Sequence, residues 1–295
     1  MKPAPFDYIA PSALSEAISL LAKSDGEAKI LAGGQSLVPL LSMRFARPEL
    51  LIDLAKIDGL KYIRENGGRF EIGAMTSKRE VELSAAVRSR QPVLHAATTK
   101  IGHPQIRNRG TMGGSMAQAD PAAEYPAMAV ALDAELVAQG PSGSRSIAAS
   151  DFFITYLTTA LAEDEILTEV RVPVLAAGTG WSVQEVARRH GDFAIVGAVV
   201  LLRLERGPDG SRCADTRIVL FGAGDKPLRA VEAEALVNGQ APDAELFERA
   251  GEKVGEEIDE PMADTHATAE YRRDLARVLT RRGLAEALER AESAA

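Results

Sequence analysis

The sequence predicts an α+β fold. Helix-period and strand-period segments are mixed along the chain, without the strict alternation that builds a doubly wound parallel sheet. Capping and turn signals punctuate those segments at short intervals. Hydrophobic residues make up 46% of the 295 positions, enough for a sizeable core and too many for a disordered chain. At roughly 150 residues per domain, the length suits about two domains.

The elements follow in order. Ser12 is placed to cap a helix carrying Leu14, Ala17, Ile18 and Leu21 on one face. A strand over 29–32 leads into Gly33-Gly34-Gln35-Ser36, and a helix over 37–45 tolerates Pro39 in its first turn. A second strand covers 50–54. Segments 61–64 and 69–72 read as a hairpin turning at Asn66-Gly67. Ser77 with Glu80 is a capping box for a helix to about Val87, and another helix covers 92–100. Residues 102–119 read as a loop rich in Gly, Asn and Arg. Asp120 as N-cap and Pro121 at the first position start a helix to about Leu132. Strands follow at 135–138 and 166–172.

The Gly-, Ala- and Pro-rich stretch 173–180 marks a domain boundary. Beyond it come strands 183–187 and 196–204, a turn at Gly207-Pro-Asp-Gly210, and a partner strand at 216–221. The end is helical: 230–237, 244–258, and 267–288 with a break near Gly283. No 20–50-residue repeat and no low-complexity segment interrupts this order.

Composition excludes several function classes. A net charge of −8 suits a soluble protein and argues against a nucleic-acid binder. No uncharged apolar run approaches the ~18 residues of a membrane span, and residues 1–8 have no signal-peptide core, so the cytoplasm is the expected location. The single cysteine, Cys213, excludes an intrachain disulfide, an all-cysteine zinc site and an iron–sulfur cluster held by this chain alone. His95, His103, His190 and His266 are scattered, so no protein metal site is expected. Any redox role needs an organic cofactor.

The most informative feature is a pair of loops. Ala32-Gly33-Gly34-Gln35-Ser36 lies between a strand and a helix, and Thr111-Met112-Gly113-Gly114-Ser115 lies in the long polar segment before another helix. Adjacent glycines lack Cβ and let successive N–H groups point into one concavity, which binds an anion without a formal positive charge. The hydroxyls of Ser36, Thr111 and Ser115 add donors. Two such loops suit the two phosphates of a dinucleotide. A single Gly-Gly pair, by contrast, reads as a turn, and Gly222-Ala-Gly224, which runs on to Pro227, reads as structural. Asp120 has a capping account, and an acidic pair formed with Glu124 one turn on suits sugar hydroxyls. Arg107 and Arg109 suit either phosphate pairing or loop stabilisation.

These residues resemble the FAD-binding medium subunits of the molybdenum hydroxylases. The resemblance rests on Ala32-Gly-Gly-Gln-Ser36, Thr111-Met-Gly-Gly-Ser115 and Ala119-Asp-Pro-Ala-Ala-Glu124 together, and runs from Phe6-Asp-Tyr8 to Glu270-Tyr-Arg-Arg273. It is nearest to the carbon monoxide dehydrogenase medium-subunit group, with similar patterns in xanthine dehydrogenase FAD domains. It implies an FAD-binding fold of the vanillyl-alcohol-oxidase (PCMH) type. Two α+β subdomains, 1–55 and 56–177, would enclose FAD, and a C-terminal domain, 178–295, would carry a three-stranded antiparallel sheet and helices.

The resemblance also implies roles. Residues 32–36 and 111–115 would hold the FAD pyrophosphate through main-chain amides, with neither metal nor lysine as anchor. Asp120 and Glu124 would lie near ribityl or ribose hydroxyls, Ile101 and Leu167 would contact the flavin, and Phe193 in Arg188-Arg-His-Gly-Asp-Phe193 would shield a ring face. Gln184 takes the place of a flavin-tuning lysine of xanthine dehydrogenases, so reactivity with NAD does not carry over. No residue is expected to act as nucleophile or general base.

A molybdopterin-binding large subunit and a [2Fe–2S] small subunit would be the partners, in a dimer of heterotrimers, with electrons passing through FAD to an external acceptor. Two alternatives stay open here. One is a stand-alone FAD oxidoreductase using His103 or His190 as base. The other is an assembly subunit without cofactor, which the intact glycine pairs disfavour.

Overall fold

The structure, a computed structural model, describes residues 2–208 and 210–294, so Asp209 of the expected 207–210 turn lies outside the described residues. The N-terminal part forms a sheet of β1 (Asp7–Ile9), β2 (Ala28–Leu31) and β3 (Leu50–Asp53) in the order β1-β3-β2, parallel throughout. Parallel neighbours need crossovers, supplied by α1 (Leu14–Lys23) and α2 (Leu37–Ser42). Ala17, Ile18 and Leu21 of α1 pack on Ile52 and Leu54. The cap of α1 is Ala13, without a side-chain hydrogen bond, so Ser12 sits one residue too early to cap it.

The next part is built on a five-stranded antiparallel sheet. Its strands are β4 (Ile63–Asn66), β5 (Arg69–Gly73), β6 (Glu135–Gly140), β7 (Gly143–Ala148) and, after the short pair β8 (Phe153–Thr155) and β9 (Thr158–Thr159), β10 (Ile166–Pro173). The order is β4-β5-β10-β6-β7, with β10 inserted between strands made much earlier in the chain. The β4–β5 turn is centred on Gly67 and Gly68, both at positive φ, one residue later than the sequence suggested. The strand β7 and the pair β8–β9 carry too little apolar alternation to be read from sequence.

Helices α3 (Lys78–Leu83), α4 (Ala85–Arg90), α5 (Pro92–Lys100), α6 (Pro104–Arg109), α7 (Met112–Gln118), α8 (Glu124–Ala131) and the single turn α9 (Ala149–Phe152) cover this sheet. The capping box of Ser77 and Glu80 is present. The expected single helix to Val87 breaks at Ser84, whose hydroxyl caps α4. Two corrections bear on the site. The expected loop 102–119 is mostly α6 and α7, each started by a local device: Pro104 at the first position of α6 and the Thr111 side chain at the α7 cap. And α8 begins at Glu124 behind Ala123, not at Pro121 behind Asp120, because residues 120–123 form a turn first.

The C-terminal part is a sheet of β11 (Gly180–Ala187), β12 (Ala194–Gly207) and β13 (Gly210–Phe221), the three long antiparallel strands expected, with β14 (Leu228–Arg229) added at the edge. Helices α10 (Val231–Val237), α11 (Ala244–Glu257) and α12 (Ala269–Ser293) cover one face. The other face, through Val183, Val199, Leu201, Val219 and Phe221, shares a core with the five-stranded part. Between them lies α8, buried along its whole length, as an all-round apolar helix must be. The break expected near Gly283 is absent. α12 runs through it, and the missing Cβ lets the helix press on Val200, which a Cβ would approach to 2.8 Å.

Candidate functional site

The first diglycine loop carries unspent donors. β2 ends at Leu31 and α2 begins at Leu37, with Gly34 between them at φ +73°, a conformation that suits glycine. The amides of Gly33, Gly34, Gln35, Ser36 and Leu37 make no hydrogen bond within the chain, while the Gln35 side-chain amide donates to the Gly33 carbonyl at 3.0 Å. Consecutive amides without acceptors are rare inside a fold and are the donor set that an anionic oxygen takes.

The second diglycine differs from the expectation. Gly113 and Gly114 stand in the first turn of α7, and their amides are spent. Met112 N donates to Thr76 O at 2.9 Å, Gly113 N to Ala74 O at 2.8 Å, Gly114 N to Thr111 Oγ1 at 3.0 Å and Ser115 N to Thr111 O at 3.2 Å. These glycines serve close packing. A Cβ on Gly113 would overlap Ala74, and one on Gly114 would lie 2.7 Å from Thr111 Oγ1 and 3.3 Å from Ala32 Cβ. Thr111 is buried, its hydroxyl oxygen accepting from Gly114 N, and Ser115 is the partly exposed hydroxyl of this loop.

The two loops abut. A Cβ on Gly33 would overlap the Arg109 carbonyl oxygen and lie 2.7 Å from Gly110 Cα. The junction is held by Lys78 N donating to Gly110 O at 2.8 Å and by a bridge between Ser77 and Thr111. Of the two arginines, Arg107 stabilises the loop: it is buried, pairs with Glu82 through Nε at 2.9 Å and Nη2 at 3.1 Å, and donates to the carbonyls of Ile101 and Gly102, both at 3.0 Å. That pairing holds the Glu82 carboxyl below its ordinary range.

Behind the junction lies a buried charged group. Asp120 accepts from Ala122 N at 2.9 Å, and burial raises its carboxyl pKa. Glu124 is 5% exposed, and burial pushes its carboxyl up to about 7. Lys78, 9% exposed, faces both Glu124 and the ring of Tyr125, with Nζ 5.3 Å from the ring centroid and 3.3 Å from Ser115 Oγ. Burial pulls its pKa down and Glu124 opposes that. Tyr125 in turn shares a 2.9 Å hydroxyl contact with Thr98. Sequence reasoning missed Lys78, since a lysine directly after an N-cap reads as a solvated residue.

The remaining expected residues separate. Ile101 and Leu167 are buried in one core cluster with Met112. Phe193 is 60% exposed, at the end of the 188–193 segment, where Gly191 packs on the His103 ring and the His103 and His190 rings are 6.1 Å apart. Gln184 points away from this side of β11: its amide donates to Ser182 Oγ at 3.1 Å and to Glu286 of α12. Glu185, the next residue and so on the opposite face, raises the Glu124 pKa and keeps a buried Oε2 without a hydrogen-bond partner.

Fold and site together define an FAD-binding flavoprotein. The family model described as FAD binding domain in molybdopterin dehydrogenase matches residues 4–175, and that described as CO dehydrogenase flavoprotein C-terminal domain matches 181–287. The chain belongs to the family of FAD-binding medium subunits of the molybdenum hydroxylases, which are oxidoreductases. It is 39% identical over 291 residues to the 6-hydroxypseudooxynicotine dehydrogenase complex subunit alpha of Paenarthrobacter nicotinovorans, covering 99% of this chain and 97% of that one. It is 38% identical to the carbon monoxide dehydrogenase medium chain of Hydrogenophaga pseudoflava, covering 96% and 97%. The solved carbon monoxide dehydrogenase of Hydrogenophaga pseudoflava lacking the Mo-pyranopterin moiety superposes with a TM-score of 0.94 at 40% identity, over 98% of this chain and 99% of that chain. Among the described residues no helix is long and apolar enough to cross a membrane.

Proposed function

We propose that this chain is the flavin station of a heteromeric molybdenum hydroxylase. It receives electrons from the [2Fe–2S] clusters of a small partner subunit, which a molybdopterin-binding large subunit supplies, and passes them to an external acceptor. The assembly is a dimer of heterotrimers. The observation that carries the reading is the row of unpartnered amides from Gly33 to Leu37, wedged against Gly110 without room for a Cβ. A cradle of this kind fits a diphosphate: it offers main-chain donors at close approach. Further support comes from relatives whose names give different substrates, carbon monoxide in one and 6-hydroxypseudooxynicotine in another, at similar identity to this chain. Substrate choice then belongs to another subunit.

In this reading, residues 1–55 and 56–177 are the FAD subdomains and 178–295 the C-terminal domain. Ala32 to Ser36 hold the pyrophosphate through main-chain amides. Thr111 and Ser115 add hydroxyl donors, and Met112, Gly113 and Gly114 set the close packing of that loop. Asp120 and Glu124 face sugar hydroxyls, Ile101 and Leu167 wall the flavin site with apolar surface, and Phe193 is the exposed residue left to cover a ring face. FAD, when bound, supplies a carrier that exchanges electrons both singly and in pairs. The protein's own residues bind it, orient it and exclude water. No side chain acts as nucleophile or base.

The test is co-expression with candidate large and small subunit chains from the same source, followed by purification through a tag on this chain. The expected product contains all three chains and one flavin per copy of this chain, with reduction of the flavin on adding the complex's substrate. Recovery of this chain alone, colourless and unable to take up FAD, would refute the reading.

A further inference from the structure

The diglycine cradle accounts for donors on one side of an anion and leaves the second loop's amides spent. What lies beneath that second loop is Lys78. Its backbone is pinned by Lys78 N donating to Gly110 O at 2.8 Å. Its side chain runs beside Gly110, where a Cβ would sit 3.5 Å from Lys78 Cδ and Cε. The glycine that packs against Gly33 is thus also the one beside which the lysine stem passes. At the far end Nζ lies 3.3 Å from Ser115 Oγ. The residue is 9% exposed, and no carboxylate lies within ion-pair distance of it among the described residues. A buried ammonium without an ion-pair partner is costly, and a compensating charge nearby repays that cost.

We propose that Lys78 is a positioning residue for the diphosphate of FAD. It donates to Ser115 Oγ, so the Ser115 proton is free to turn outward as a donor, and it places a buried positive charge beneath the junction of the two loops. This rests on the flavin reading above. An ammonium can only donate, so a hydroxyl oxygen it contacts acts as acceptor there, and the hydroxyl's own hydrogen must find another partner. In a site shielded from water, such a charge acts over a longer range than a surface lysine does. Burial favours the neutral form of Glu124, so the nearest carboxyl of the chain does not neutralise the ammonium. The sequence expectation of a cradle without lysine is replaced by amides in front and one buried cation behind.

The experiment compares FAD with riboflavin, which has the same ring and ribityl chain and no phosphate. The full-length chain is freed of flavin, and both affinities are measured by quenching of flavin fluorescence for wild type, K78M, K78Q, S115A and K78M/S115A. Wild type binds FAD more tightly than riboflavin. If it binds neither, the flavin reading itself fails. With wild type binding, K78M lowers FAD affinity by about tenfold or more and leaves riboflavin unchanged. The double variant K78M/S115A loses less than the product of the two single losses, since the lysine acts in part through the serine.

K78Q keeps a donor without the charge and serves where K78M fails to fold. It also loses FAD affinity selectively. Wild-type FAD affinity in both lysine variants, or parallel loss of FAD and riboflavin, overturns the proposal, the second outcome being what a purely structural lysine gives.

Discussion

Gly33, at the end of the first parallel sheet, lies against the carbonyl oxygen of Arg109, so close that no Cβ fits between them. This contact joins the two loops into one site. Replacing Gly33 with Ala forces the Arg109–Gly110 backbone away, because the atoms met are main chain and cannot swing aside. The expected cost is about 1–3 kcal/mol of stability together with loss of bound flavin. Flavin absorbance per protein, with thermal unfolding alongside, checks it, and full flavin occupancy in G33A contradicts it.

Arg107 holds the turn after α5 by its pair with Glu82 and by two carbonyls. Arg107→Met leaves those carbonyls and part of the carboxylate buried without donors, at a cost of about 2–4 kcal/mol. Urea unfolding measures it. A loss below about 0.5 kcal/mol, the size of an ordinary surface substitution, would show the pair to be idle.

Glu124 gives a pH signature. Its folded pKa, about 7, is raised from 4.5 by burial, so the folded chain binds that proton more tightly than the unfolded chain does. A raised pKa contributes stability below the unfolded value and loses it as pH rises through the folded one. The flavin-free wild type is therefore expected to lose up to about 3 kcal/mol relative to E124Q between pH 4.5 and 7. Parallel unfolding profiles for the two proteins across that range would exclude it.

Gly283 lets α12 lie on β12. Gly283→Leu drives a side chain into Val200 and is expected to cost about 1–3 kcal/mol. Because the contact is remote from the cradle, flavin affinity in G283L at low temperature stays near wild type. A thermal midpoint equal to wild type would rule out the packing account.

Much of the fold is legible in local chemistry. The capping box at Ser77 and Glu80, the glycine hairpin near residue 67, and the three long C-terminal strands each follow from short-range rules, and the structure has them. The first diglycine loop is legible too, because a strand, two glycines and a helix suffice to leave amides without acceptors. The second loop shows where such reading stops. Gly-Gly is a poor helix sequence by propensity, yet Thr111 caps it locally and Ala74, far away in the chain, packs on it, and that packing is a tertiary fact. Lys78 is hidden for a similar reason: the residues that bury it, Gly110, Ser115 and Tyr125, come more than thirty positions later. Asp120 has a capping composition, but its carboxylate serves a turn before α8. Gln184 and Glu185 differ by one step along a strand, which turns one to α12 and the other to Glu124, and only the register of β11 decides which.

The place of β10 bears on how the chain matures. Its neighbours β5 and β6 are synthesised first and can pair with β4 and β7, yet the edge that each turns toward the other stays open until β10 arrives between them. During translation the β10-facing edges of the strands that carry Phe70, Ile72 and Leu136 stay unpaired until residue 173 has left the ribosome. A nascent chain stalled short of that point presents two open strand edges, and is the form on which a chaperone would act.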